Sequence, residues 1–143
     1  MEKPVIIVER TFKAPVSVIW KALTDKNEMK KWYFDLKEFK AEKGFVFQFT
    51  GGHEEGIQYM HTCEVTEAIP DKILTYSWKY DGYEGISFVT FELFARGKET
   101  LLKLTHKGIE SFPKHPDFAL GNFNEGWNEI INVSLKKYLE GNN

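Results

Sequence analysis

The segment YMHTCEV, residues 59–65, holds the residue types most capable of chemistry in this chain. On a strand, alternate side chains point to opposite faces, so Tyr59, His61, Cys63 and Val65 share one face and the imidazole lies two residues from the thiol. A thiol beside an imidazole can form a nucleophile pair, or half of a metal site. A nucleophile also needs a base in line and an oxyanion donor, and no recognised cysteine signature surrounds Cys63. Zinc needs further ligands from His53, Glu54 or His106, and none stands at a recognised spacing. The plain alternative is an ordinary strand in which Cys63 is a small buried hydrophobe. No catalytic set, metal site or cofactor is assigned.

A second histidine closes the segment TLLKLTHKG, where Leu102, Leu104 and His106 follow the same two-residue period, so His106 falls at the inner end of a sheet. There it either binds a ligand's hydroxyl or carbonyl, serves as an acid or base near neutral pH, or is simply paired with a neighbouring loop. In ILTYSWKY, Tyr76 and Trp78 share a face with Leu74, either as aromatic core or as a stacking wall for a flat apolar ligand. The glycine-rich GGHEEG, residues 51–56, reads as a solvated loop that could gate a cavity mouth.

These residues need elements to hold them. VIIVERTFK (5–13) is β-branched and reads as a strand, and Ala14-Pro15 then opens a helix in which Val16, Ile19, Trp20 and Leu23 recur at helical spacing. KNEMKKWYF gives a second short helix bearing Met29 and Trp32. From GFVFQFTGG onward the period falls to two, with Phe45, Phe47 and Phe49 on one face, and the remaining strands are QYMHTCEVTEAIP, ILTYSWKY, ISFVTFELFA and TLLKLTHKG. The expected count is about seven strands. Pro113 and Pro116 punctuate a loop, and residues 121–141 form the longest helix, with an apolar stripe of Phe123, Trp127, Ile130, Ile131, Ser134 and Tyr138. Gly126 interrupts that helix beside Trp127, where glycine costs about 0.5–1 kcal/mol relative to alanine. Either the helix backbone packs closely at that level or the missing side chain leaves room for a ligand. The expected interior comprises Trp20, Phe47, Tyr76, Trp78, Phe91, Leu104, Trp127 and Ile131.

The chain of 143 residues is 42% hydrophobic and 15% aromatic, enough for one domain over residues 1–143 with a folded core. Lys+Arg 19 against Asp+Glu 21 leaves a formal net charge of -2 with the signs interspersed, so no basic stripe points to nucleic acid or anionic lipid. The apolar run Val5–Val8 is too short for a signal-peptide core, and nothing later approaches a membrane span, so no membrane insertion is expected. With Cys63 alone no intrachain disulfide can form, which suits a reducing cytoplasm.

APVSVIWKALTD, GFVFQF, EVTEAIPDKILTYSW, VTFEL followed by TLLKLTHKG, and a terminal helix carrying Gly126-Trp127 occur in that order along nearly the whole chain. Together they resemble the SRPBCC, or START-like, superfamily, and within it the branch similar to the C-terminal domain of the activator of the heat-shock protein 90 ATPase. The resemblance implies an α+β helix-grip fold: a curved antiparallel sheet around a long C-terminal helix, two short helices after the first strand, and a cavity between helix and sheet. It is similar to lipid-transfer domains, hormone-binding proteins and polyketide cyclases alike, so it fixes fold more closely than function. The function expected is noncovalent binding of a small hydrophobic, aromatic or lipid-like ligand by Tyr59, His61, Tyr76, Trp78, His106 and Trp127. The alternatives are a protein interaction module with a chaperone partner, and a cyclase- or hydrolase-like enzyme.

Overall fold

The computed structural model describes residues 5–34, 36–52 and 56–140. Six strands form one curved antiparallel sheet: β1 (Val5–Phe12), β2 (Val46–Gly52), β3 (Gln58–Ile69), β4 (Ile73–Tyr80), β5 (Ser87–Arg96) and β6 (Glu99–Lys107). Their spatial order is β1-β6-β5-β4-β3-β2. The count is six among the described residues rather than about seven, because residues 36–45 reach the sheet without forming a strand. That stretch still lends Leu36 and Phe39 to the core.

Alternation explains which face is buried. On β1 it sends Ile6, Val8 and Phe12 inward, and on β5 Val89, Phe91 and Leu93. β3 keeps Tyr59, His61, Cys63 and Val65 on the inner face until Val65, where the pairing with β4 slips by one residue at Thr66. Such a bulge bends the strand and adds twist, which helps the sheet wrap. Phe47 and Phe49 point inward as the period requires, whereas Phe45 stands just before β2 and is half-buried against Phe39.

Two short helices, α1 (Val16–Thr24) and α2 (Lys26–Trp32), follow β1. Asp25 separates them and caps α2, its carboxylate accepting from the Asn27 amide at 2.8 Å, which satisfies a donor the first turn leaves orphaned. α1 buries Ile19, Ala22 and Leu23. Trp20, expected in the interior, lies at the edge of that face and is only half-buried.

The last helical run extends from Leu120 to Glu140: α3 (Leu120–Glu129), a π-helical turn (Ile130–Leu135) and α4 (Lys136–Glu140). The buried stripe runs through Phe123, Trp127, Ile131 and Leu135, four residues apart, and leaves Ser134, expected in the stripe, on its flank and only half-buried. Below α2, Tyr138 donates to the Glu28 carboxylate, and Arg10 of β1 donates to the Asn132 side-chain oxygen at 3.1 Å, so both ends of the fold hold this helix.

Candidate functional site

A cleft of about 460 Å³ opens between α3 and the ends of β3 and β4. β3 contributes Tyr59 and His61, β4 contributes Trp78 and Tyr80, and α3 contributes Phe123, Gly126 and Trp127. Phe34 and Phe118 complete the aromatic wall; Phe118 belongs to a short 3-10 turn, Pro116–Phe118, whose Pro116 sets the backbone at its start. A cleft of this size, mostly aromatic with a few polar groups, falls in the range that holds small organic ligands.

Gly126 answers one of the two sequence alternatives. A side-chain carbon built there meets nothing within 4 Å, so no close packing of backbone on backbone occurs at this level. Its bare backbone lines the cleft.

Of the six residues expected to bind, four lie together in the wall: Tyr59, His61, Trp78 and Trp127. Tyr76 and His106 do not line it. The Tyr76 hydroxyl pairs with that of Tyr33 at 2.6 Å beneath the aromatic layer, and burial raises the pKa of both phenols well above the usual value.

His106 is fully buried behind Trp127 and Trp78. Its Nδ1 accepts from Trp127 Nε1 at 2.9 Å, which leaves the ring proton on Nε2. Nε2–H therefore donates to Ser87 Oγ at 2.7 Å, and the Ser87 hydroxyl in turn donates to the Trp78 carbonyl at 3.1 Å. Both ring nitrogens of His106 are paired in this relay, and burial lowers its pKa to about 3. Gly108 helps to set it up: at φ 93° its backbone lies so close to Ile86 and Ser87 that a side-chain carbon would come within 2.9 Å of the Ile86 carbonyl oxygen.

His61 faces the cleft but not Cys63 chemistry. Its Nδ1–H donates to the Tyr59 carbonyl at 3.0 Å, and its ring stacks on Phe49 with centroids 4.4 Å apart. Burial lowers its pKa to about 4, against the smaller opposing pull of the Tyr59 and Phe49 carbonyls. Cys63 is fully buried, and burial pushes its thiol far up, so the thiolate that nucleophilic or metal chemistry needs is disfavoured. Among the described residues no three His, Cys, Asp or Glu side chains converge as a metal set. His53 and Glu54, and with them the centre of the GGHEEG segment, lie outside the described residues.

Sequence reasoning missed the polar rim. Tyr59 donates its phenol proton to Asp117 Oδ2 at 2.6 Å; this bond, ahead of burial, raises the Tyr59 pKa to about 12. Glu125 and Glu129 stand one turn apart on α3, on either side of Gly126, and also line the cleft. Their spacing was available in the sequence, but it reads as the solvated face of an amphipathic helix. Asp117 and Phe118 come from a loop that no periodicity marks. The Tyr80 hydroxyl accepts from Trp78 Nε1 at 3.0 Å, and its own proton meets no protein acceptor among the described residues.

Several solved structures share this architecture. Protein MLL2253 from Mesorhizobium loti is 25% identical, with a TM-score of 0.77 over 98% of this chain and 99% of that one. Protein BH1534 from Bacillus halodurans is 25% identical, with a TM-score of 0.75 over 98% of this chain and 100% of that one. The Aha1 dimer from Colwellia psychrerythraea is 24% identical, with a TM-score of 0.71 over 98% of this chain and 99% of that one, a likeness of fold. No curated protein matches the chain. The family model described as activator of Hsp90 ATPase homolog 1-like protein matches residues 13–140, and with the helix-grip sheet and its C-terminal helix in place, the chain belongs to that family.

Proposed function

We propose that this protein binds a small, mainly apolar molecule noncovalently in the cleft between α3 and the sheet. The observation that carries this reading is the empty volume at Gly126: a helix keeps its least favourable ordinary residue where nothing packs against it and where a wall of Trp78, Tyr80, Phe118, Phe123 and Trp127 surrounds the space. The fixed neutral histidines also favour binding over turnover. His106 has both ring nitrogens engaged, so it shapes the wall by orienting Trp127 and does not offer a proton to a ligand. Tyr80 supplies the polar handle.

The test uses 2-ethylnaphthalene as the probe. Saturable quenching of tryptophan fluorescence with a rise in melting temperature, and no change in the probe by mass spectrometry, supports the reading. A chemically altered probe shifts the conclusion to an enzyme, and no response to this probe or to its charged naphthyl analogues overturns binding.

A second reading has its own observation. The family's description names an Hsp90 ATPase activator, and Val5 and Ile7 on the edge strand β1 lie exposed beside Leu120. An interaction module would use such an edge. Measuring the chaperone's ATPase rate with and without this chain tests it. Among the described residues no helix is long and apolar enough to cross a membrane. The free, buried Cys63 supports a reducing, cytoplasmic setting for either role.

A further inference from the structure

We propose that the cleft selects an organic cation: an apolar, aromatic body that carries a protonated amine or a quaternary ammonium. This rests on the binding reading above and adds the charge of the ligand. The chain has nearly equal numbers of basic and acidic residues, 19 and 21, yet among the described residues the charged side chains lining the cleft are Asp117, Glu125 and Glu129, with no Lys or Arg. Composition does not explain that bias. Among the described residues of the wall the other titratable base, His61, is held neutral near pH 7 by its burial. An anionic ligand therefore meets carboxylates and no cation to pair with, whereas a cation gains from each of them.

The aromatic rings add to the selection. Tyr59, Tyr80 and Phe118 form a tight cluster, with centroids 5.6 Å apart for Tyr59–Tyr80, 5.2 Å for Tyr59–Phe118 and 4.8 Å for Tyr80–Phe118. Ring faces attract cations through their quadrupoles, as the aromatic cages that bind quaternary ammonium groups show. Tyr59 gives its proton toward Asp117, which enriches its ring in electron density and strengthens that attraction. Asp117 is half-buried while Glu125 and Glu129 are exposed, so the negative charge sits toward solvent and the indoles of Trp78 and Trp127 lie deeper. The ligand then enters with its apolar body against the indoles and its ammonium toward the Tyr59–Asp117 corner.

Three probes of nearly one shape isolate the charge: 2-naphthylmethylammonium, its neutral isostere 2-ethylnaphthalene, and the anion 2-naphthoate. Titration by tryptophan fluorescence at pH 7 and low salt should show the ammonium binding at least tenfold more tightly than the neutral probe, with 2-naphthoate weakest. Added salt should narrow the ratio, because the rim charges are exposed to screening. The double variant Glu125→Gln/Glu129→Gln, at exposed helix positions, should reduce the ammonium-to-neutral ratio at least threefold. Equal affinity for the three probes, tighter binding of 2-naphthoate, or a ratio unmoved by the double variant overturns the charge selection while the binding reading stands. Failure of all three to bind overturns both.

Discussion

Trp127 Nε1 donates to His106 Nδ1 at 2.9 Å, joining the C-terminal helix to the inner end of β6 through a bond sealed from water. The bond does two things at once. It satisfies a buried indole donor, and it selects the His106 tautomer whose other nitrogen completes the relay to Ser87 and the Trp78 carbonyl. The orientation of the Trp127 indole in the cleft wall thus depends on a residue that never reaches the cleft, while the Trp78 indole is held by Tyr80.

Trp127→Phe should therefore cost more than the lost ring area. It leaves His106 Nδ1 buried without a donor, a penalty of about 1–3 kcal/mol in addition to the packing loss. Urea melts measure the total. Replacing His106 by Leu in the Trp127→Phe background should restore part of it, because both ends of the bond are then apolar; a cycle with no coupling would contradict the relay.

The pH dependence follows from the same burial. His61 and His106 have folded pKa values lowered from 6.5 to about 4 and about 3, so between those values and pH 6.5 the unfolded chain binds more protons than the folded one. Stability rises with pH wherever that holds. Both contributions are complete above about pH 6.5 and are lost progressively as the pH falls toward 4 and then 3, by on the order of 3 kcal/mol for His61 and 5 kcal/mol for His106. Chemical denaturation at pH 7, 5 and 4 should show this loss, and His61→Gln should flatten it. A wild type equally stable at pH 7 and 4 would contradict the buried neutral state.

Gly126→Ala should stabilise the helix rather than overpack it, because position 126 is exposed to the cleft. With nothing within 4 Å of the added methyl, the gain in helix propensity dominates and the variant should be about 0.5–1 kcal/mol more stable. The methyl also enters the cleft, so affinity for 2-ethylnaphthalene should fall as stability rises. Thermal melts and a titration on the same sample read both. A destabilised variant would mean that the helix does pack closely here.

How far the fold and the site are legible in the sequence depends on whether a residue's neighbours lie on its own element. The strand faces follow from two-residue alternation, so period alone puts Tyr59, His61, Cys63, Trp78 and His106 on the inner face, where all five are buried. Whether an inward side chain meets a cavity or a filled core is decided by a different element. Tyr76 and Trp78 are equivalent by period, yet Tyr33, just past the end of α2, covers the first, and only the second faces the gap beside Gly126. Trp20 fails for a related reason: helical spacing defines a face, and its edge is set by where the sheet stops. Ser134 is a third case. The π-helical turn does not move the stripe: the third and fourth residues after Ile131 both fall near the apolar face at 3.6 residues per turn, and the buried one is Leu135, four after Ile131 and eight after Trp127, rather than Ser134. The rim is hidden because Asp117 comes from a loop and Glu125 and Glu129 look like solvated positions.

The difference between Tyr76 and Trp78 gives a final test that separates wall from core. Tyr76→Phe removes one hydroxyl of the pair at 2.6 Å and leaves Tyr33 without its partner, at a cost of about 1 kcal/mol in stability. Because its ring lies under the aromatic layer and outside the cleft, affinity for 2-ethylnaphthalene should stay the same. Trp78→Phe keeps an aromatic ring but removes the indole that lines the cleft and the N–H that engages Tyr80. The Tyr80 hydroxyl is then free to turn, and the wall loses part of its area. Affinity should drop at least fivefold, with a loss of stability as well. Measuring stability by denaturant and affinity by titration on both variants compares two residues that share a strand face. Equal loss of affinity in both would mean that the ligand sits deeper than the cleft, against the buried hydroxyl pair.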